Sequence, residues 1–347
     1  MVSYARVMLP IVDGGKLESS ATIQSLNEAL HDCGFLYLKN HGVSEKLQRE
    51  LLELSKKFFS EDLRFKMQID MKKGGLAWRG YFPVGGELTS GKPDHKEGLY
   101  FGRELDRNNP AVIQKIPLHG MNLWPSGASY SRFKNVVLDY MAQLNDLGQN
   151  LMAAIGEGIG LPRNYFLKRF TSEPTTLFRI FNYPQAQASV QDQWGVREHT
   201  DMGFLTILLQ DQNTGLQVKT RSQSWISAPP IDGTFVVNIG DMLELWTHGL
   251  YKATPHRVRN EAKGDRLSFP FFFDPNWNTT LEPIDLQLIS KEKRNWLEST
   301  KTEGLSPEVK KRWDGLNLKA LSNSITYGDF VWAKVKNVFP DLAGSST

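Results

Sequence analysis

The segment REHTDMG occupies residues 197–203, and the apolar run FLTILL extends it to residue 209. The run favours a β-strand, in which side chains two positions apart lie on one face. His199 and Asp201 would therefore point in the same direction and could bind one metal ion together. His256 lies far enough along the chain for several strands to leave and return beside the first, and it is the candidate third ligand. Two imidazoles and one carboxylate make up the facial triad that binds iron and leaves open coordination positions.

A second motif follows the third candidate ligand. A His-x-Asp pair by itself is a weak signal, because most histidines in a protein are surface or core residues. Ten positions after His256, however, Arg266 and Ser268 share one face at the start of an apolar strand. A guanidinium beside a hydroxyl suits a carboxylate, which accepts two hydrogen bonds from Arg and another from Ser. A metal triad next to such a carboxylate clamp is more specific than either motif alone.

With these motifs the chain resembles the isopenicillin N synthase-like branch of the 2-oxoglutarate, Fe(II)-dependent dioxygenases. The resemblance covers roughly residues 8–275 and weakens afterwards. It rests on LPIVD (9–13), GFLYLKNHGV (34–43), HTD (199–201), GLQV (215–218), VNIGD (237–241), HRV (256–258) and RLS (266–268).

The resemblance implies an enzyme that uses Fe(II), 2-oxoglutarate and O2, and it allows ascorbate as a reductant. Decarboxylation of 2-oxoglutarate to succinate and CO2 would accompany oxidation of an unactivated C–H bond in a small organic substrate. Hydroxylation, desaturation and cyclisation all stay open, and specialised metabolism is the expected setting. The residues that the resemblance assigns are the metal ligands His199, Asp201 and His256 and the oxoacid-binding residues Arg266, Ser268 and Tyr183.

The expected fold is mainly β with flanking helices, around a double-stranded β-helix, or jelly roll. We predict an amino-terminal, mostly helical α/β region at 1–172, a catalytic jelly-roll core at 173–283 and a carboxy-terminal helical cap at 284–347, joined in one integrated unit. The apolar periodicity predicts helices at 20–32, 44–59, 130–159, 162–170, 291–298, 306–313 and 327–339. Short apolar runs between turn residues predict strands at 35–39, 204–209, 216–219, 225–228, 234–239, 242–246, 253–258 and 266–273.

Two further residues are candidates for the substrate side of the site. Arg79 lies in a glycine-rich region where loops often carry binding residues, and it could pair with a substrate carboxylate. The alternative is a structural arginine paired with Glu87 or Asp94. Phe272 shares a strand face with Arg266 and is the candidate wall beside the substrate, although a buried packing role explains it equally well. Tyr183 has a similar alternative as a core residue.

Composition excludes several classes of function. Lys and Arg number 41 against 38 Asp and Glu, for a net charge of +3, so nothing indicates a nucleic-acid or membrane partner. Cys33 is the only cysteine, which rules out an internal disulfide and favours a cytoplasmic protein. No apolar run approaches the roughly 18 residues of a membrane span. The expected partner is a small molecule, and the sequence leaves the oligomeric state open.

Three alternatives to a 2-oxoglutarate-dependent oxygenase are compatible with the sequence. The first is an oxoacid-independent Fe(II) oxidase of the isopenicillin N synthase type, in which Arg266 and Ser268 would hold a substrate carboxylate. The second is a catalytically silent ligand-binding protein on the same fold. The third is a zinc hydrolase with the same three ligands, since a fold does not fix the chemistry. The zinc hydrolase leaves the Arg-Leu-Ser motif unexplained.

Overall fold

A computed structural model describes residues 8–89, 91–185, 193–260, 263–302 and 325–338. Within these ranges the strands are β1 (Ile11–Asp13), β2 (Phe35–Lys39), β3 (Gly80–Phe82), β4 (Leu88–Thr89), β5 (Lys92–Pro93), β6 (Glu97–Gly102), β7 (Pro174–Tyr183), β8 (Val196–His199), β9 (Leu205–Gln210), β10 (Leu216–Lys219), β11 (Trp225–Ser227), β12 (Thr234–Ile239), β13 (His256–Val258) and β14 (Arg266–Asn276). The helices are α1 (Ser20–Asp32), α2 (Glu45–Ser60), α3 (Leu63–Lys66), α4 (Pro110–Ile113), α5 (Phe133–Gly158), α6 (Tyr165–Arg169), α7 (Asp241–Trp246), α8 (Lys291–Thr302) and α9 (Tyr327–Val338).

Two sheets form the jelly-roll core, which confirms the predicted fold class. The larger sheet has eight strands in the order β1-β2-β12-β9-β14-β7-β6-β3, and the smaller has four in the order β11-β10-β13-β8. A cavity lies between them, because both sheets contribute to its lining. The amino-terminal region supplies β1, β2, β3 and β6 to the larger sheet, which supports our proposal that the predicted regions form one integrated unit.

Strand β14 shows how the sequence separates the cavity from the core. Its residues alternate between two faces, as strand geometry requires. Arg266, Ser268, Pro270 and Phe272 line the cavity. Phe273 points the other way, where its ring packs against Gly148 on α5. The long helix α5 therefore covers the outer face of the sheet and leaves the inner face to the site.

Most of the predicted elements agree with the structure, including α1 and α2, where the Ser44 hydroxyl accepts a hydrogen bond from the Leu47 backbone N–H at 3.3 Å. The predicted strand at 242–246 is wrong, because these residues belong to the helix α7. Four of its six residues are buried and apolar, so periodicity could not separate a buried strand from a buried helix. The acidic side chains of Asp241 and Glu244 in the first turn favour the helix. The predicted helix at 306–313 lies outside the described residues.

No helix in the described ranges combines the length and the apolar character that crossing a membrane requires.

Candidate metal centre and its pocket

The three predicted metal ligands meet in space. His199 ends β8 and pairs directly with His256 on β13, so that the ring centroids lie 4.2 Å apart. The Oδ1 atom of Asp201 lies 3.8 Å from Nε2 of His199 and 3.7 Å from Nε2 of His256. The possible ligand atoms of the three residues all lie within 4.8 Å of one another. Separations of this size allow all three atoms to contact one ion.

Backbone carbonyls orient both imidazoles. Nδ1 of His199 lies 2.8 Å from the carbonyl oxygen of Arg197, and Nδ1 of His256 lies 3.2 Å from that of Thr254. A carbonyl oxygen accepts only, so each ring must carry its proton on Nδ1. The lone pair of each Nε2 is then available for a metal, as is usual for metal-binding histidines.

The Asp201 carboxylate is held by one oxygen and leaves the other for a metal. Its Oδ2 accepts hydrogen bonds from the Thr206 hydroxyl at 2.5 Å and from the Asn238 amide at 2.7 Å. Thr206 and Asn238 lie opposite each other on β9 and β12, so the sheet fixes both donors. The hydrogen bonds fix the carboxylate so that Oδ1 faces the two imidazoles.

The ionisation states suit a divalent cation. Burial lowers the pKa of His199 to about 4, and His256 acts in the same direction. Burial acts to raise the pKa of Asp201, but His256, His199 and the two hydrogen bonds on Oδ2 together hold it below its usual range. At neutral pH the site therefore offers a neutral His199 imidazole and an ionised carboxylate. Two nitrogen donors and one oxygen fit Fe(II) with open coordination positions, although the same donors can also bind zinc.

The predicted carboxylate clamp lies in the same cavity. Arg266 is fully buried; its Nη2 donates to Oε1 of Gln210 at 2.8 Å and its Nε to the Asn213 carbonyl at 3.3 Å. Within the described part of the chain its Nη1 has no hydrogen-bond partner. A buried guanidinium nitrogen without a partner is costly, so a ligand that accepts from it is expected.

Two hydroxyls complete the clamp. Tyr183 lies opposite Arg266 in the β7–β14 register, and its ring lies 5.1 Å from the guanidinium carbon. Burial raises the pKa of Tyr183 and keeps the phenol protonated, although Arg266, Lys96 and Ser268 act in the opposite direction. Arg266, Ser268 and Tyr183 all line the cavity, and a guanidinium with two hydroxyls suits a carboxylate.

The triad and the clamp share one cavity of about 320 Å³. Phe272 contributes to its lining, as do three residues of the carboxy-terminal helix α9: Lys334, Val335 and Val338. A cavity of this volume holds a small molecule beside a co-substrate.

The structure does not bring Arg79 to the cavity, so the interpretation of this residue as substrate-binding is corrected. Its side chain is buried, packs against Gly102 and donates to the Leu118 carbonyl at 2.7 Å. It pairs with neither of the two acidic residues considered from the sequence. Trp78 has a left-handed backbone (φ 55°), which turns the chain just before Arg79. As a result, Trp78 lines the cavity and Arg79 lies behind it.

Sequence reasoning missed three residues that the structure places at the site. Thr206 and Asn238 hold Asp201 through the hydrogen bonds described above, and Arg179 lines the cavity. A signal for Arg179 exists, because it lies four positions before Tyr183 on the same face of β7. Asn238 lies inside the VNIGD motif. Nothing in the local sequence distinguishes Thr206 from other strand threonines.

A jelly-roll core that surrounds two imidazoles, one carboxylate and a buried arginine is the architecture of a non-haem metal-dependent oxygenase. Residues 9–127 match the family model for the amino-terminal region of a non-haem dioxygenase in morphine synthesis, and residues 174–275 match the model of the 2OG-Fe(II) oxygenase superfamily.

Individual proteins agree with the family models. A "probable iron/ascorbate oxidoreductase" of Dictyostelium discoideum is 43% identical over 96% of this chain and 95% of its own length. A 1-aminocyclopropane-1-carboxylate oxidase of Dictyostelium mucoroides is 34% identical over 96% of this chain and 95% of its own length. The crystal structure of a full-length Neurospora crassa protein in complex with alpha-KG has a TM-score of 0.71 and 28% identity, over 85% of this chain and 93% of that one.

The chain belongs to the 2-oxoglutarate/Fe(II)-dependent oxygenase superfamily. It is an oxidoreductase that uses Fe(II), 2-oxoglutarate and O2, which confirms the family, enzyme class and cofactors predicted from the motifs.

Proposed function

We propose that this enzyme oxidises an unactivated C–H bond of a small organic molecule in specialised metabolism, by hydroxylation, desaturation or cyclisation, and releases succinate and CO2. The observation that carries the proposal is the pairing of two incomplete sites in one cavity. One is the triad, with Oδ1 of Asp201 directed at two Nε2 atoms. The other is Arg266, whose Nη1 has no partner among the described residues. A metal completes the first and a carboxylate the second.

In this proposal His199, Asp201 and His256 bind Fe(II), which together with 2-oxoglutarate and O2 supplies the oxidising chemistry. Arg266, Ser268 and Tyr183 bind the distal carboxylate of 2-oxoglutarate and so fix its orientation. The protein then has to hold the target carbon close to the metal and keep water away. No acidic or basic side chain is needed to take the hydrogen from carbon.

The size of the cavity and the names of relatives support a small substrate. About 320 Å³ is enough for a compact molecule beside the co-substrate. One relative, 34% identical, is named for the oxidation of 1-aminocyclopropane-1-carboxylate, a small carboxylic acid.

The test is O2 uptake and succinate formation by the purified protein with Fe(II) and 2-oxoglutarate. We expect both with Fe(II) and neither with Zn(II). His199→Ala should abolish metal binding and turnover, whereas the control His41→Ala should keep both, because His41 stacks on Phe235 and does not line the cavity. Succinate formation by His199→Ala would overturn the ligand assignment. Turnover that requires Zn(II) and consumes no O2 would favour a zinc hydrolase. O2 uptake without any need for 2-oxoglutarate would favour the oxoacid-independent alternative.

A further inference from the structure

Arg179 is a cavity residue that neither the triad nor the clamp uses. It lies on the inner face of β7 with Phe181 and Tyr183, and all three line the cavity. Arg179 precedes Tyr183 by four positions on the strand, about 13 Å along the chain. The clamp arginine, Arg266, lies beside Tyr183 at the other end of this strand face, and its hydrogen bonds go to Gln210 and Asn213. Arg179 therefore belongs to a different part of the cavity from the oxoacid clamp.

Three aromatic rings fix the position of this guanidinium. Its central carbon lies 4.2 Å from the ring centroid of Tyr100, 4.8 Å from that of Phe272 and 5.4 Å from that of Trp78. Contacts of this kind are favourable for a cation and limit the conformations of a long side chain. The group is thus held in place before any ligand arrives, which reduces the entropy lost on binding.

The same guanidinium has donors to spare. Its side chain is only 12% exposed, and its closest acidic contact is Oε1 of Glu87, 3.7 Å from Nη1, beyond hydrogen-bond distance. Among the residues that the structure describes, its Nε has no hydrogen-bond partner. A nearly buried cation with unused donors is unfavourable unless a ligand accepts from them.

Two acidic groups nearby, Glu87 and Asp94, both pair with Lys96. Glu87 accepts a hydrogen bond from the Tyr100 hydroxyl at 2.5 Å and pairs with Nζ of Lys96 at 2.8 Å. Asp94 pairs with the same Lys96 at 2.5 Å and accepts from the Thr89 hydroxyl at 2.6 Å. Oε2 of Glu87 and Oδ1 of Asp94 have no hydrogen-bond partner among the described residues, but both carboxylates already pair with Lys96. A cationic ligand would have to compete with Lys96 for them, whereas in the described part of the chain Arg179 has only the 3.7 Å contact with the acidic Glu87.

We propose that Arg179 binds a carboxylate of the prime substrate, so that the enzyme oxidises a small carboxylic acid with an apolar body. The planar fork of a guanidinium matches the two oxygens of a carboxylate. The lining also has apolar side chains, Leu177, Phe272 and Val335 among them, which suit the apolar body of such an acid. This inference rests on the proposed function, since it names the substrate class of that same site.

The first experiment separates substrates by charge. A metabolite extract of the source cells is divided by ion exchange at neutral pH into anionic, neutral and cationic pools. Each pool is added to the Fe(II)-loaded enzyme with 2-oxoglutarate and 18O2, and succinate and mass-shifted products are measured. We expect the consumed compound of the stimulating pool to carry a carboxylate; an amino acid, which is zwitterionic at neutral pH, would fall in the neutral or cationic pool. A consumed compound without a carboxylate, whether uncharged, cationic or a phosphate or sulfate ester, overturns the inference. Absence of stimulation by every pool counts against the proposed function itself.

The second experiment tests the residue with the compound that the first experiment identifies. Arg179→Gln should raise the KM of that compound by about tenfold or more, and Arg179→Lys should raise it less. The 2-oxoglutarate KM should stay within about twofold, because the clamp is untouched. Arg132→Gln is the matched control, since Arg132 is exposed and pairs with Glu50. The charge-transfer absorption of the anaerobic Fe(II)–2-oxoglutarate complex shows that each variant is folded. An unchanged substrate KM, or a rise in the 2-oxoglutarate KM instead, contradicts the assignment.

Discussion

Thr206→Val should weaken Fe(II) binding, although Thr206 does not contact the metal in our proposal. The substitution keeps the shape of the side chain and removes the 2.5 Å hydrogen bond to Oδ2 of Asp201. A hydrogen bond to a charged group contributes about 1.5–3 kcal/mol, and each 1.4 kcal/mol is about tenfold in an equilibrium constant. We therefore expect the Kd for Fe(II) to rise by about 10- to 100-fold, the range typical for partners of metal ligands. Asn238→Ala removes the other bond to Oδ2 and should act in the same direction.

The assay is an anaerobic Fe(II) titration of the apoprotein, with the free energy of unfolding measured in parallel. Thr247→Val is the matched control, because Thr247 is also fully buried and donates its hydroxyl to a backbone carbonyl, that of Leu243, at 2.7 Å. The control should lose stability and keep its affinity for Fe(II). If Thr206→Val and Asn238→Ala both fold and both bind Fe(II) within about twofold of the original protein, the hydrogen bonds on Oδ2 do not position the ligand, and the reasoning is refuted.

Three other predictions concern the clamp, a buried acid and the packing of the sheet. Arg266→Lys should raise the 2-oxoglutarate KM by about tenfold or more and leave the Kd for Fe(II) unchanged, because Lys cannot form a bidentate contact with a carboxylate. The rate of succinate formation at varied 2-oxoglutarate concentration gives this KM. Burial raises the pKa of Asp274 to about 7. In the unfolded chain the pKa of this carboxyl group is near 3.8, so the unfolded state loses the proton at a lower pH than the folded state. The free energy of unfolding should therefore fall by up to about 4 kcal/mol as the pH rises from about 4 to about 7. Asp274→Asn should flatten this slope in denaturant titrations, and an unchanged slope contradicts the assignment. Gly98→Ala should lower the free energy of unfolding by about 1–3 kcal/mol, because the added methyl would lie 2.6 and 2.8 Å from two phenylalanine rings. The control Gly264→Ala has open space around it and should change the free energy of unfolding by no more than about 0.5 kcal/mol in the same titrations.

The cluster of His199, Asp201 and His256 was predictable in part because strand geometry is local and regular. Two residues at the spacing of His199 and Asp201 share a face in any extended chain, and the apolar run that follows them indicates such a chain. The proposed third ligand and the proposed clamp were inferred from motifs whose order along the chain is distinctive. The structure places His256 directly opposite His199 in the β8–β13 register.

The errors arose where the backbone departs from the regular pattern that the sequence suggests. The sequence of the glycine-rich region gave no sign of the left-handed backbone at Trp78, after which Trp78 lines the cavity and Arg79 does not. The largely apolar sequence of α7 hid its helical period. In both cases tertiary packing, which a local pattern does not contain, decided the outcome.

Strand β14 links the parts of the site that sequence reasoning treated separately. Its inner face carries Arg266, which we propose binds the co-substrate, and Phe272, which packs against the Arg179 guanidinium. Further along, the Asp274 carboxylate accepts a hydrogen bond from the Tyr327 hydroxyl at 2.6 Å, which joins the strand to α9. Because Lys334, Val335 and Val338 of α9 also line the cavity, a change in the sequence of this helix would alter the shape of the cavity without changing the metal triad.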